Sequence, residues 1–161
     1  MFKPNLFLDR VTDVTPEMLK EIGVKALLLD VDNTLSTHHG TELTAGLMEW
    51  IAYMQSEGIP LLVFSNSKDS RVRPFAEKIG LPYMSLGLKP LPFGYFRGAK
   101  RLGLSRKEIA LCGDQFFTDL LGAKTTGTKI ILLKPILLED KLSFKIRRYF
   151  ERKIYRKWGM Q

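Results

Sequence analysis

The amino-acid sequence predicts an α/β protein, a doubly wound parallel sheet with helices on both faces. Two observations carry that expectation. Short, near-continuous apolar runs are the pattern of strands buried on both sides of a parallel sheet, and amphipathic helical stretches with short connectors lie between them. In chain order, Thr15-Pro16-Glu17 opens a helix with proline in its first turn and Gly23 closes it. Residues 25–29 form the first strand and end at Asp30. Residues 44–57 place Leu47, Trp50, Ile51 and Met54 on one stripe and stop at Gly58. A second strand, 60–64, ends at Ser65. The helix Asp69–Ile79 carries Val72, Phe75, Ala76 and Ile79 on one side and meets Gly80. A weaker strand lies near Tyr83-Met84, before Lys89. Pro92 opens and Gly103 closes a helix over Phe93–Leu102. A strand at 109–112 ends at Gly113-Asp114, a helix covers 118–124, and the last strand, Lys129–Leu133, runs into Lys134-Pro135.

With 161 residues, 45% hydrophobic and 26% charged, the chain has the size and composition of one ordinary globular domain. It divides into an N-terminal extension (1–24), a core (25–138) and a basic tail (139–161). Disorder, collagen and coiled-coil readings are excluded. The apolar runs fall far short of the ~18 residues that cross a bilayer, and the N-terminus lacks an apolar stretch fit for export. Cys112 has no second cysteine to bridge, and with only His38 and His39 beside it the soft ligands are too few for zinc. A cytoplasmic location is expected, with peripheral contact on the inner face of the membrane as an extension of it.

The 25 Lys and Arg against 17 Asp and Glu give a net charge of +8. The excess concentrates in the tail, where residues 139–161 hold eight basic residues against three acids. Such a tail suits an anionic partner, whether phospholipid headgroups, nucleic acid or an acidic protein surface. A merely solvated helix face is the plainer alternative. From Leu142, the residues Ile146, Phe150, Ile154 and Trp158 recur every four positions among the basic ones. That stripe either lies in the headgroup plane of an anionic membrane or packs on the protein's own core.

In doubly wound sheets ligands bind beyond the carboxyl ends of the strands. The residues there are Asp30 and Asp32, Ser65 and Asn66, Lys89, then Asp114 and Asp119. Carboxylates, a hydroxyl and an ammonium at four strand ends suit a charged ligand together with a divalent cation. The segment Asp30-Val31-Asp32-Asn33-Thr34-Leu35 is not a calcium loop, since Leu35 stands where glycine is needed and Thr41 where a glutamate is needed. Each residue taken alone has a plainer role: Asp30, Asp32, Ser65 and Asn66 as turn formers, Lys89 as a surface lysine, Asp119 as an acid at a helix start. Cys112, inside an apolar run, reads as a small buried hydrophobe.

These residues, in this order, resemble the four motifs of the haloacid dehalogenase superfamily of phosphohydrolases. Asp30-Val-Asp32-Asn-Thr34 matches the first, Ser65 after Leu-Leu-Val-Phe the second, Lys89-Pro90 the third, and Gly113-Asp114-Gln-Phe-Phe-Thr-Asp119 the fourth. Intervals of 35, 24 and 25 residues are each close to one βαβ unit. The resemblance implies Mg²⁺ between the side chains of Asp30 and Asp114 and the backbone carbonyl of Asp32, with Asp119 either ligating through water or holding Lys89. It implies Asp30 as nucleophile and Asp32 as general acid and base. Lys89, the Ser65 hydroxyl and the Asn66 N–H would bind the phosphoryl group.

Members of this superfamily select substrates with a cap domain, and neither gap here has room for one. An open site suits a large substrate. The chain further resembles the YqeG-type subgroup, in Phe2-Lys3-Pro4, Val31-Asp32-Asn33-Thr34-Leu35, Ser65-Asn66-Ser67 and Gly113-Asp114-Gln115-Phe116-Phe117-Thr118-Asp119. That subgroup implies removal of the terminal phosphate of phosphatidylglycerophosphate, a step toward phosphatidylglycerol and cardiolipin. A phosphatase for a soluble or protein phosphoester shares every catalytic residue, and a nucleic-acid-binding protein using the basic tail is a further alternative. A homo-oligomer could cover the site with a neighbouring subunit.

Overall fold

A computed structural model describes residues 3–32, 34–36, 42–134, 142–157 and 159. Among these residues six strands form one parallel sheet: β1 (Leu6–Leu8), β2 (Ala26–Leu29), β3 (Leu61–Phe64), β4 (Tyr83–Met84), β5 (Ile109–Gly113) and β6 (Lys129–Leu133). They lie in the order β1-β6-β5-β2-β3-β4. Between them run α1 (Pro16–Glu21), α2 (Leu47–Ser56), α3 (Asp69–Ile79), α4 (Phe93–Leu102) and α5 (Leu121–Thr126), with α6 (Leu142–Lys157) after β6.

The apolar runs are continuous because both faces of the sheet are covered. Alternate strand residues point to opposite sides. Leu27 and Leu29 of β2, Val63 of β3 and Cys112 of β5 join one core with α2 and α3. Leu28, Phe64 and Leu111 join a second core with Tyr95 and Ala99 of α4 and Ala123 of α5. Full burial of each such side chain contributes roughly 1.5–3 kcal/mol, so the central strands fix the register: Leu29 pairs with Val63 on one side and Cys112 on the other. Cys112 is fully buried, and burial pushes its thiol well above the usual range. It is a core residue, as the sequence suggested.

Two features depart from the sequence reading. No strand is expected in residues 1–24, yet β1 pairs with β6 at the sheet edge, Leu6 opposite Ile131. Three half-buried residues carry too short a pattern to stand out. The helix expected at 118–124 is instead a π-helical turn, Phe116–Leu120, followed by α5. Among the described residues no domain is inserted after β2 or between β3 and β4, and no helix is long and apolar enough to cross a membrane.

The basic tail forms α6. Tyr155 packs on Phe7 of β1 with ring centroids 5.8 Å apart, and Glu151 is buried, while Tyr149, Arg152, Lys153, Arg156 and Lys157 are exposed. Ile154 is half-buried. The rest of the expected stripe, the side chains of Ile146, Phe150 and Trp158, lies outside the described residues, as do His38 and His39.

One close contact ties the second core to the loop after β4. The Phe64 ring meets Tyr95 edge-on at 5.2 Å, and a β-carbon at Gly94 would overlap both that ring and the Gly87 carbonyl. Gly94→Ala therefore forces backbone and ring apart and is expected to cost about 1–3 kcal/mol, read as a lower urea midpoint with an unchanged slope. An unaltered midpoint would contradict this packing.

Candidate active site

The chain leaves β2 toward β3 and β4 on one side and returns as β5 and β6 on the other, so the reversal of strand order falls between β2 and β5. Ligand sites of open α/β sheets form at such a point. Asp30 follows β2 and Asp114 follows β5, and the Asp30 N–H donates to the Cys112 carbonyl at 3.0 Å, which locks the two strand ends together. Ser65 follows the neighbouring β3, and its N–H donates to the Met84 carbonyl at 3.0 Å.

Asp119 arrives from the π-helical turn. Its own N–H donates to the Gln115 carbonyl at 2.9 Å, and its Oδ2 accepts from the Gln115 N–H at 3.1 Å. A β-carbon at Gly113 would overlap this carboxylate, so the glycine is what lets Asp119 fold back over the end of β5. Carboxylate oxygens of Asp30, Asp114 and Asp119 then lie within 4.8 Å of one another, all three buried.

Lys89 enters this group as its cation. Nζ lies 2.9 Å from Asp119 Oδ1 and 3.1 Å from Asp30 Oδ1, donates to the Phe64 carbonyl at 3.4 Å, and sits 5.2 Å over the Phe64 ring. Its side chain is only 2% exposed. Burial alone would pull the ammonium down, but Asp119 and Asp30 outweigh it and push its pKa up. Asp30 is raised well above the ordinary carboxylate value, first by burial and then by the charges of Asp119, Asp114 and Asp32, with Lys89 opposing. Among the described residues one ammonium stands against three buried carboxylates, which leaves the group with an excess of negative charge. A hard divalent cation fits that donor set of carboxylate oxygens.

The sequence-derived residues therefore converge, with two refinements. The Asp32 carboxylate stands outside the three-carboxylate group and is gripped by Arg71, whose Nη2 and Nη1 donate to Oδ1 and Oδ2 at 2.5 and 3.1 Å. The same Nη1 donates to Ser67 Oγ at 2.7 Å. Asn66 uses its side chain to hold the backbone of Lys89, with Oδ1 accepting from the Lys89 N–H at 2.7 Å and Nδ2 donating to the Lys89 carbonyl at 3.1 Å. Ser65 Oγ accepts from the Ser67 N–H at 3.1 Å, which leaves the hydroxyl proton available to a ligand. Arg71 is the residue that sequence reasoning missed. Its one signal is the i,i+4 spacing from Ser67, which means nothing until β2 and β3 are known to be neighbours.

A sheet reversing its order at paired acids, with a buried lysine between them, defines a haloacid-dehalogenase-type hydrolase. Residues 7–127 match the haloacid dehalogenase-like hydrolases, and the chain belongs to that family. It is 33% identical over 153 residues to the probable phosphatase YqeG of Bacillus subtilis, covering 95% of this chain and 89% of that one. It is 26% identical over 167 residues to a mitochondrial phosphatidylglycerophosphatase of Saccharomyces cerevisiae, covering 95% and 87%. In fold it resembles the cobalt-bound deoxy-D-mannose-octulosonate 8-phosphate phosphatase of Haemophilus influenzae, with TM-score 0.56 and 18% identity over 87% of this chain and 92% of that one. The enzyme class expected from the four motifs, a phosphatase of this family, accords with these matches.

The excess of negative charge has a measurable sign. A carboxyl whose folded pKa is raised above its unfolded value costs stability as pH climbs through the raised value, because the unfolded chain ionises more easily. Without divalent ions at neutral pH, Asp30→Asn is expected to melt above the wild type. Saturating divalent cation should stabilise the wild type, by about 2.7 kcal/mol at a hundredfold excess over Kd, and the variant far less. Calorimetry in chelator showing a lower melting temperature for the variant would contradict the electrostatic account.

Proposed function

We propose that this chain is a Mg²⁺-dependent phosphomonoester hydrolase that works through a phosphorylated Asp30, and that its substrate is phosphatidylglycerophosphate. The observation that carries the catalytic reading is the convergence of Asp30, Asp114, Asp119 and Lys89 at the switch point. Asp30, Asp114, Asp119 and the backbone carbonyl of Asp32 would hold Mg²⁺, which would neutralise charge on the phosphoryl group and let one anion approach another.

The protein's own groups divide the remaining work. An Asp30 oxygen attacks phosphorus as the bond to the leaving alcohol breaks, giving an acyl phosphate on Asp30. Asp32 delivers the proton that the alcohol oxygen needs, then takes one from the water that attacks the acyl phosphate, releasing inorganic phosphate and restoring Asp30. Lys89 balances charge on the transferring group, aided by hydrogen bonds from the Ser65 hydroxyl and the Asn66 N–H. Arg71 is a positioning residue: its two bonds hold the ionised Asp32 carboxylate, the form that takes a proton from water, and one of them gives way when Asp32 carries the proton for the alcohol oxygen.

The lipid reading rests on the yeast relative's name and on the lack of an inserted cap among the described residues, which leaves room for a headgroup presented from a surface. Among phosphatidylglycerophosphate in mixed micelles, nucleotides, sugar phosphates and phosphopeptides, the lipid should give the highest kcat/KM. A soluble ester turned over faster would refute the lipid reading and leave the chemistry intact. Asp30→Asn should abolish turnover and chelator should stop the wild type. Asp32→Asn should lower kcat by roughly 10²–10⁴-fold, and Arg71→Met should lower kcat with little change in KM. Equal rates with and without chelator would exclude the mechanism.

A further inference from the structure

The loop that delivers Lys89 faces two ways. Gly87 and Lys89 are buried, whereas Leu86, Leu88 and Leu91 are each 51% exposed and Phe93 is 60% exposed. Its backbone is firmly held: Leu86 N–H donates to the Ser67 carbonyl at 3.0 Å, Gly87 N–H to the Ser65 carbonyl at 2.8 Å, and Leu91 N–H to the Leu88 carbonyl at 2.7 Å. Leu86 and Leu88 have φ of 48° and 57°, the left-handed region that side-chain-bearing residues disfavour. Fixed, strained backbone thus holds a row of large apolar side chains half or more in water, and none of them joins either core.

Positive charge surrounds them. Arg97, Lys100 and Arg101 share the outward face of α4 with Phe93, and among the described residues no carboxylate pairs with them. Arg97 donates to the Leu86 carbonyl at 3.2 Å and Arg101 to the Tyr83 carbonyl at 2.6 Å. Both arginines line a groove of about 400 Å³ with Tyr83, Met84, Ser85 and Asp69, and Asp69 is itself ion-paired with Arg73. We infer that residues 86–93 and the outer face of α4 dock on an anionic lipid surface, the leucines and Phe93 sinking among the acyl chains and the basic residues meeting headgroups. Apolar residues rimmed by Lys and Arg are what interfacial insertion needs. The inference rests on the lipid reading above and explains it mechanically, because Leu88 flanks Lys89 in the chain and seats the membrane beside the phosphate site. It also moves the contact away from α6, which packs through Tyr155 on β1, at the sheet edge opposite β4.

The test is sedimentation of the full chain with vesicles of phosphatidylcholine, with and without phosphatidylglycerol. The wild type should bind the anionic vesicles. Leu91→Gln with Phe93→Gln should weaken partitioning at least ~10-fold, while Arg152→Gln, Lys153→Gln and Arg156→Gln together should change it within about twofold. Phe93→Trp, which keeps the surface apolar, should show blue-shifted emission with anionic vesicles, so a misfolded glutamine variant does not decide the matter. Unchanged partitioning of the loop variant, an unmoved Phe93→Trp spectrum, or a wild type that binds neither vesicle would overturn the inference. Concentration-dependent self-association abolished by the loop variant would also overturn it, assigning the face to a second copy. Micellar turnover separates the two readings: loop-dependent binding without lipid hydrolysis refutes the substrate, and hydrolysis without loop-dependent binding refutes the docking face.

Discussion

Three carboxylates gathered around one buried ammonium set the terms for everything else in this molecule. Like charges roughly 4 Å apart repel by about 4 kcal/mol at an effective dielectric of about 20, and Asp30, Asp114 and Asp119 all lie within 4.8 Å of one another. Folding tolerates the arrangement because Lys89 pairs with Asp30 and Asp119 and because the backbone fixes each acid as well: a strand end for Asp30 and Asp114, a π-helical turn for Asp119. A hard divalent cation among these oxygens would relieve that repulsion.

Much of the scaffold serves to place one lysine. Phe64 lies under its ammonium, Tyr95 braces Phe64 edge-on, and Tyr95 in turn donates to the Thr118 carbonyl, one residue before Asp119. Asn66 clamps the lysine's backbone from the adjacent strand end. The second core is therefore continuous with the buried Lys89 and its carboxylates, and a packing fault at Phe64 reaches both partners of the Lys89–Asp119 pair.

The fold was largely legible because both-face burial writes itself into sequence as unbroken apolar runs, and the ends of α3 and α4 coincide with the sequence signals at Gly80 and Gly103. The candidate site residues were legible as a set: each alone has an ordinary structural role, but a sheet of this topology gathers the ends of its strands, and acids, a hydroxyl and an ammonium stand together at four of them. What escaped were features that depend on neighbours in space. β1 is three residues long and has meaning only beside β6. Arg71 finds Asp32 across a separation of 39 residues. The sequence reading gives a role only to the Asn66 N–H, and only the adjacency of β3 with the loop after β4 shows that the Asn66 side chain holds Lys89. The π-helical turn was read as ordinary helix because apolar spacing does not record an i→i+5 bond.

Strand β1 ties the two ends of the sheet-forming chain together. The Asn5 N–H donates to the Ile130 carbonyl, and the Asn5 side-chain oxygen accepts from the Ile130 N–H and from Lys124 Nζ, across separations of 125 and 119 residues. During synthesis the first strand must wait, unpaired, until nearly all of the remaining core has left the ribosome. Its three-residue length and its polar neighbours Asn5, Asp9 and Arg10 limit what it can stick to in the meantime.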